Sequence, residues 1–320
     1  MDDAGNGSAP HAIEAWSQYW KTGRAASCCS GGDAELKLVE VWSQFADGFD
    51  DGAQLIDLAT GNGAVVKLLA DRAEGRKVCF EITGVDAAEI IPPKLDAAGS
   101  QTIAFRGRTP IERLPFPDRS FDGATSQFGF EYADEASAVK EVARVLRPGG
   151  RLRFVMHAAN GAVSRDIGER LRRLSVALSN GGPVTLVRNL VRAVAARDAG
   201  AEALLTTLLP HARETLRHLG VGAPADDAAL FYASAFMSSW DDRAKFHAAD
   251  LRRSVEDGWS NAAGVAARQQ EMLRAARSET DLAALAIRLS SVGFVVEAPR
   301  SIENTARGQS IAWLVDAAKI

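Results

Sequence analysis

Short apolar runs alternate with helix-periodic segments between residues 54 and 156, and this alternation restricts the possible fold more than any other feature of the sequence. The runs with strand character are residues 54–58, 80–86, 102–105, 121–126 and 151–156. Helical spacing of apolar side chains follows the first run, at 64–73, and the fourth, at 135–146. Strands that alternate with helices predict βαβ units, and therefore a parallel sheet that helices cover on both faces.

The pattern changes after residue 160. Residues 161–290 are rich in Ala, Leu and Arg with helical spacing throughout, whereas 293–297 and 310–315 return to strand character. We therefore expect a sheet that a helical insertion interrupts and two late strands complete. The expected domains are a disordered start and N-terminal helical cap at 1–50, a sheet domain at 51–160 and 291–320, and a helical lid at 161–290.

Composition and charge exclude several classes of protein. The 320 residues are 47% hydrophobic and 24% charged, as in soluble globular chains, and the net charge of -4 argues against nucleic acid as a partner. The three cysteines show no C-x-x-C spacing, so neither a zinc site nor a disulfide framework is expected. No signal peptide is recognised, and the longest apolar run, 228–237, is about half of the ~20 residues that cross a bilayer. We expect a cytoplasmic protein with no membrane partner and no metal.

The first strand-like run ends in a turn with the sequence Asp57-Leu58-Ala59-Thr60-Gly61-Asn62-Gly63. Glycines at a strand-to-helix turn let backbone N–H groups come close to a ligand. Val66 stands where the dinucleotide fingerprint requires a third glycine, and no Gly-Lys-Ser/Thr triplet follows. The turn therefore fits neither a dinucleotide site nor a P-loop.

Two acidic residues narrow the choice of ligand. Asp57 would repel a pyrophosphate, because like charges ~4 Å apart cost about 4 kcal/mol at an effective dielectric constant of ~20. It favours a ligand that carries an ammonium or sulfonium charge. Asp86 ends the second run at roughly the ~20-residue offset from which an acid accepts hydrogen bonds from ribose hydroxyls. A ligand with a ribose, no pyrophosphate and a cationic amino acid end is S-adenosylmethionine (SAM).

Four motifs together resemble those of the class I SAM-dependent methyltransferases. They are Asp57-x-Ala59-x-Gly61-x-Gly63, Asp86, Leu114-Pro115-Phe116-x-Asp118-x-Ser120-Phe121-Asp122 and Arg144-Val145-Leu146-Arg147-Pro148-Gly149-Gly150. The resemblance covers roughly residues 50–157. It implies a Rossmann-like methyltransferase fold, with a mostly parallel seven-stranded sheet and helices on both faces. It also implies SAM as methyl donor and S-adenosylhomocysteine as product.

The resemblance assigns cofactor contacts by position. The residues concerned are Asp57, Ala59, Gly61, Gly63, Asp86, Ala87, Ile111, Glu112, Gln127 and Phe128. The turn residues would line the methionine part of SAM, with Asp57 organising the turn, and Asp86 would hold the ribose. Ala87 and the pair Ile111-Glu112 would border the adenine. Gln127 and Phe128 would lie beside the methyl donor and the acceptor.

Two positions depart from the family pattern. Ala59 stands where relatives often have glycine, and we expect its one additional methyl group to be tolerated there. Pro110 stands where many relatives carry an Asp that accepts from the adenine amino group. Adenine recognition must then depend on backbone atoms or on another side chain.

Three residues near the ends of the fourth and fifth strands are candidates for catalysis. His157 could be a general base, because imidazole changes charge near neutral pH, or a histidine that is hydrogen-bonded in a loop. Glu131 could hold a cationic substrate amine or cap the helix that follows it. Tyr132 is expected to form part of the pocket wall.

The N-terminal segment carries Trp16, Tyr19 and Trp20 on one helical face. Packing in the core is one explanation of these rings. The other is that they fold over the donor, since a π face suits a sulfonium. We predict that Tyr19 or Trp20 closes the SAM pocket.

The helical insertion is expected to cover the substrate as a lid. The apolar residues 230–237 could form lid core, a pocket wall or a homodimer contact. The net positive stretch 165–198 could be a solvated helix face or a site for an anionic group on the substrate.

The sequence thus predicts methyl transfer from SAM to a small organic molecule, with the acceptor atom undetermined. One alternative is a catalytically inactive SAM-binding protein that regulates or supports a partner subunit. A second is a nucleic-acid methyltransferase, which the acidic net charge opposes.

Overall fold

The computed structural model describes residues 10–21, 32–93, 101–304 and 308–320. The disorder expected at the N-terminus and the residues Cys28 and Cys29 lie outside these ranges. The chain divides into two compact units, Met1–Arg165 with Glu271–Ile320, and Asp166–Gln270.

The first unit contains one sheet of eight strands. They are β1 Ala53–Leu58, β2 Phe80–Val85, β3 Thr102–Arg106, β4 Phe121–Gln127, β5 Leu146–His157, β6 Phe294–Val296, β7 Arg300–Asn304 and β8 Gln309–Lys319. The order is β3-β2-β1-β4-β5-β8-β6, with β7 also paired to β8. The strands β1 to β5 are parallel, and β8 is antiparallel to β5, β6 and β7. The α/β fold expected from the sequence is confirmed.

The sheet has one strand more than the seven expected. The strands β6 and β7 occupy the same edge of β8, where Phe294 pairs with Lys319 and Arg300 pairs with Leu314. Residues 297–299 separate them, and Pro299 has no N–H to donate to a neighbouring strand. The last edge strand is therefore divided in two.

Helices cover both faces of the sheet. In the first unit they are α1 Pro10–Trp20, α2 Gly32–Ala46, α3 Ala64–Arg76, α4 Glu135–Val145 and α11 Glu279–Ser291. The two-residue period of β1 places Ile56 and Leu58 in the core with α4 and α11, and Leu55 in the core with α2 and α3. This burial on both faces explains why β1 is an almost continuous apolar run.

The second unit is entirely helical within the described residues. Its helices are α5 Ala162–Leu178, α6 Pro183–Ala196, α7 Ala199–Thr206, α8 Leu209–Leu219, α9 Ala228–Asp241 and α10 Ala248–Ala275, of which α5 and α10 cross the border of the unit. The unit is shorter than the range 161–290 expected from the sequence. The reason is that α11 places Leu282, Leu285 and Leu289 in the core of the sheet.

The apolar run 230–237 and the basic stretch 165–198 of the insertion mainly contact other residues of the helical unit. Phe236 and Met237 are buried in the core of the helical unit, whereas Phe231 is 67% exposed. Arg188 lies 2.8 Å from Glu256, and Arg173 lies 2.8 Å from Asp227. Other arginines of the stretch 165–198 also pair with acids of this unit. The positive stretch is thus largely neutralised internally.

Within the described ranges, no helix combines the length and the apolar character needed to cross a membrane.

Candidate functional site

A cavity of about 360 Å³ opens at the carboxyl ends of β1, β2 and β4. This is the edge at which open α/β sheets bind their ligands, and the volume is within the range of small-molecule sites. Its lining consists of Ile13, Trp16, Trp20, Ala59, Asp86, Ala87, Ala88, Pro110, Ile111, Glu112, Phe128, Gly129, Tyr132 and Ala133.

The turn after β1 has a left-handed backbone at three positions. Ala59, Gly61 and Gly63 have φ angles of 51°, 53° and 88°, and Gly63 is the N-cap of α3. A Cβ atom at Gly61 would lie 2.5 Å from the ring of Trp20, and one at Gly63 would lie 2.6 Å from the ring of Phe105. Conformation and close approach together explain both glycines. Because these two rings cover them, the glycines are not part of the cavity lining.

Asp57 lies beneath the turn, outside the lining. Its carboxylate accepts hydrogen bonds from Thr60 Oγ1 at 2.6 Å and from Thr125 Oγ1 at 2.8 Å. Burial raises the pKa of Asp57 to about 7. The side chain thus organises the turn, while the lining does not include it as a contact for the ammonium of a ligand.

Asp86 lines the cavity and connects β2 to the glycine turn. Its Oδ2 accepts from the backbone N–H of Gly61 at 2.8 Å, and its Oδ1 accepts from that of Ala88 at 2.8 Å. An ionised carboxylate has about four lone-pair sites, so two remain for hydroxyl donors. Burial raises the pKa of Asp86 to about 6.

Helix α1 forms one wall of the cavity through Trp16 and Trp20. The two rings stack with centroids 6.1 Å apart, and Trp16 also meets Tyr132 edge-on at 5.7 Å. Tyr19 is outside the lining and packs edge-on against Trp20 at 4.9 Å. Of the two residues predicted to close the pocket, Trp20 lines the cavity and Tyr19 does not, and Trp16 lines it as well.

Asn62 fastens α1 to the loops of the site. Its Nδ2 donates to the carbonyl of Trp20 at 3.0 Å, and its Oδ1 accepts from the N–H of Ile91 at 3.0 Å. Ser17 Oγ accepts from the N–H of Glu89 at 3.0 Å in the same region. No sequence pattern identifies Asn62 as a site residue, because it occupies the variable position between the two glycines. Its burial, at 2% exposure, is the signal that identifies it.

The segment Pro110-Ile111-Glu112 lies in the cavity wall, as does Ala87. Glu112 Oε1 accepts from the backbone N–H of Asp134 at 2.7 Å, and Asp134 in turn caps α4. The carboxylate of Glu112 therefore has a structural partner at one oxygen while its side chain borders the cavity.

Two residues at the end of β4 point in different directions. Phe128, with a φ angle of 55°, lies in the cavity lining. Gln127 does not, because its Oε1 accepts a hydrogen bond from Trp42 Nε1 of α2 at 2.6 Å. The side chain of Gln127 thus fixes α2 on the sheet, and its place beside the donor stays a prediction.

Glu131 and His157 form a buried pair, each 1% exposed. His157 Nδ1 lies 2.8 Å from Glu131 Oε1, and the same oxygen accepts from the His157 N–H at 2.9 Å. Neither residue lines the cavity, whereas Phe128 and Tyr132 do and both contact the His157 ring, with centroids 4.4 and 6.3 Å away. A general base must come within hydrogen-bond reach of the proton it removes. The geometry therefore does not support direct catalysis by His157 or Glu131, and only Tyr132 of the three candidates borders the cavity.

Arg277 supports this pair from the segment between α10 and α11. Its N–H donates to the carbonyl of His157 at 2.7 Å, and its Nη2 donates to the carbonyl of Glu131 at 3.0 Å. Arg277 is more than 100 positions away from both residues and follows no motif, so the sequence gives no sign of this contact.

The described ionisable side chains of the cavity lining can carry only negative charge. Its ionisable members are Asp86, Glu112 and Tyr132, and no Lys, Arg or His is among the described residues that form it. In the described ranges, no group of three or more His, Cys, Asp or Glu residues lies close enough to hold a metal ion.

Residues 56–154 match a family described as "Methyltransferase domain". The demethylmenaquinone methyltransferase of Thermus thermophilus is 42% identical over 106 residues, which are 31% of this chain and 44% of that protein. The ubiquinone/menaquinone biosynthesis C-methyltransferase UbiE of Geobacter sulfurreducens is 34% identical over 112 residues, which are 32% of this chain and 41% of that protein. The chain thus spans less than half the length of these curated relatives.

Among solved structures, the YcgJ protein of Bacillus subtilis is 27% identical, with 42% of this chain and 57% of that chain covered and a TM-score of 0.31. The sequence matches fall on the segment that contains the glycine turn, the acid at the end of β2 and the strands β4 and β5. These matches support the resemblance of residues 56–154 to the class I SAM-dependent methyltransferases.

Proposed function

We propose that the protein transfers the methyl group of SAM to a small organic molecule. The observation that carries this proposal is the cavity at the carboxyl ends of β1, β2 and β4, where Asp86 is fastened to the glycine turn. Its lining contains carboxylates and, among the described residues, no basic side chain. Such a wall accepts ribose hydroxyls and a positive charge, and it repels a pyrophosphate.

The contacts of the donor follow from the lining. Asp86 would accept from the ribose hydroxyls with its remaining lone pairs. Ala87, Ala88 and Ile111 would enclose the adenine with apolar surface. Because Pro110 cannot supply a carboxylate, we propose that Glu112 or nearby backbone atoms accept from the adenine amino group.

The sulfonium of SAM supplies an activated methyl group: the bond from carbon to sulfur breaks with its electron pair on sulfur as the acceptor forms a bond to the carbon. The residues of the chain align the two partners and exclude water. When the acceptor is a hydroxyl or an ammonium, its proton must leave to a base. Tyr132 is the catalytic candidate that borders the cavity, and the pair Glu131–His157 would position Phe128 and Tyr132.

A small acceptor is supported by the names of two relatives, which are quinone-pathway methyltransferases. Their similarity to this chain is confined to about a third of it. The unit Asp166–Gln270 lies outside the segment matched to the methyltransferase domain. We therefore propose that the acceptor is specific to this chain; the role of residues 161–290 as a lid stays a prediction.

Release of S-adenosylhomocysteine tests the activity. The purified chain is incubated with SAM and fractions of a small-molecule extract, and the product is quantified by mass spectrometry. Product that depends on one fraction and is lost in Asp86→Ala supports the proposal. SAM binding without product in any fraction would favour the inactive SAM-binding alternative.

A further inference from the structure

Tyr132 reaches the cavity from a short 3-10 turn, Phe130–Tyr132, that follows β4. The first residue of this turn is fixed from within the core, because Phe130 is fully buried and stacks on Phe154 with ring centroids 4.2 Å apart. The last residue, Tyr132, lies in the cavity wall. The position of Tyr132 therefore depends on what holds the residue between them, Glu131.

The side chain of Arg277 holds the backbone of Glu131. Its Nη2 donates to the carbonyl of Glu131 at 3.0 Å and lies 3.6 Å from Glu135 Oε2, in the first turn of α4. Only 12% of the Arg277 side chain is exposed, so water competes little for these contacts. Hydrogen bonds from a charged donor are stronger than those between neutral groups. The guanidinium thus connects the turn Phe130–Tyr132 to the start of α4.

The backbone of Arg277 is fixed as well. Its N–H donates to the carbonyl of His157 at 2.7 Å, and its own carbonyl accepts from the N–H of Ala159 at 2.9 Å and from Trp313 Nε1 at 3.0 Å. Arg277 also forms a parallel bridge with Ala158, directly after the end of β5. The guanidinium therefore extends from a backbone that the sheet holds in place.

The place of Arg277 in the chain separates this contact from the segment shared with relatives. Arg277 comes two residues after the end of α10, outside the matched residues 56–154. Stability alone does not explain the contact. Arg277 Nε and Glu131 Oε2 are both buried without a hydrogen-bond partner among the described residues, and such groups cost free energy.

We propose that Arg277 is a positioning residue for methyl transfer, which holds the carbonyl of Glu131 and thereby fixes Tyr132 in the cavity wall. This inference rests on the proposed function and adds to it a residue from outside the matched segment. A misplacement of about 1 Å, caused far from the reacting atoms, can lower a rate about 100-fold. Donor binding is assigned to Asp86, which none of the described contacts of Arg277 reaches.

The experiment compares Arg277→Met, which keeps an unbranched apolar chain and removes the donors, with Arg277→Lys, which keeps a charged donor. Arg288→Met is the matched control. Arg288 pairs with the same Glu135 at 2.9 Å, but it is 52% exposed and has no described hydrogen bond or ion pair with the turn Phe130–Tyr132. Calorimetry gives Kd for SAM, and hydrogen exchange reports the amides of Tyr132 and Ala133. Turnover is measured at saturating SAM with the extract fraction that supports product formation.

We expect a selective loss in Arg277→Met. Turnover should fall about 10- to 100-fold while Kd for SAM stays unchanged, because alignment is lost and the donor contacts are not. The amides of Tyr132 and Ala133, which donate to Gly129 and Phe130 in this turn, should exchange about 10-fold faster or more. Arg277→Lys should recover part of the turnover, and Arg288→Met should retain all of it.

Three results would overturn the inference. They are wild-type turnover in Arg277→Met, an equal loss of turnover in Arg288→Met, and faster exchange that is spread evenly over the sheet. If Arg277→Met does not fold, Trp313→Phe decides by the same measurements, since it keeps an aromatic ring and removes the bond to the Arg277 carbonyl. A wild type that forms no product with any fraction refutes the proposed function. The exchange of Tyr132 in Arg277→Met then still shows whether Arg277 fixes this residue, which distinguishes the two failures.

Discussion

Replacing Asp86 by Ala removes a carboxylate that connects the cavity to the glycine turn. Asp86 accepts two backbone N–H groups at 2.8 Å, and under the proposed function it also accepts from the ribose. A hydrogen bond to a charged group contributes about 1.5–3 kcal/mol. Losing one such bond to the ribose lowers SAM affinity about 10- to 150-fold, and losing the support of Gly61 adds to this.

Calorimetry with SAM at constant pH measures this effect, and a second aspartate controls for stability. Asp122 likewise accepts a backbone N–H, from Gln54 at 2.8 Å, and pairs with Arg147 at 2.5 Å. It lies at the start of β4, opposite the edge that forms the cavity. Asp122→Ala should therefore reduce the free energy of unfolding with little change in SAM affinity. A folded Asp86→Ala variant that binds SAM with the affinity of the wild type would refute the reasoning. Equal losses of SAM affinity in Asp86→Ala and Asp122→Ala would mean that Asp86 has only a structural role.

Three further changes have defined outcomes. Gly61→Ala should reduce the free energy of unfolding by about 1 kcal/mol or more and weaken SAM binding, because φ at Gly61 is 53° and the new Cβ would meet the Trp20 ring. Thermal unfolding measures the loss of stability, and calorimetry measures the SAM affinity. Asn62→Ala removes two partly buried hydrogen bonds, each worth about 0.5–1.5 kcal/mol, and should raise the dissociation rate of SAM. Stopped-flow tryptophan fluorescence measures this rate, and an unchanged rate would contradict the prediction. Burial raises the pKa of Asp57 to about 7 and that of Asp86 to about 6, so both bind protons more tightly when folded. Their contribution to stability is present at low pH and decreases as pH rises through about 6–7. A bound cation favours the ionised forms of these two carboxyl groups. SAM affinity should therefore fall between about pH 8 and pH 5, and SAM binding should release protons. An affinity that does not change with pH would contradict this prediction.

The sequence predicts those parts of the fold that depend on local patterns. The turn from Asp57 to Gly63 and the strands around it are encoded by glycine and by apolar periodicity, and both are local signals. The division of the last edge strand depends on how β8 pairs with two short segments beyond Pro299, which no local pattern shows. The number of strands is therefore one more than expected.

Side-chain direction at the ends of strands was less predictable. Phe128 and Gln127 are neighbours, yet one lines the cavity and the other binds Trp42, because the backbone at Phe128 is left-handed. His157 ends β5 at the expected edge, but its ring is occupied by Glu131. Such partners come from distant parts of the chain, and so a single sequence does not identify them.

The ligand class of the cavity is the central claim, and parallel titrations of the purified protein with SAM, NAD and ATP test it most directly. We predict saturable binding of SAM that Asp86→Ala weakens, with no comparable binding of the two pyrophosphate-containing nucleotides. Saturable binding of NAD or ATP at this cavity, in a protein that does not bind SAM, would contradict it.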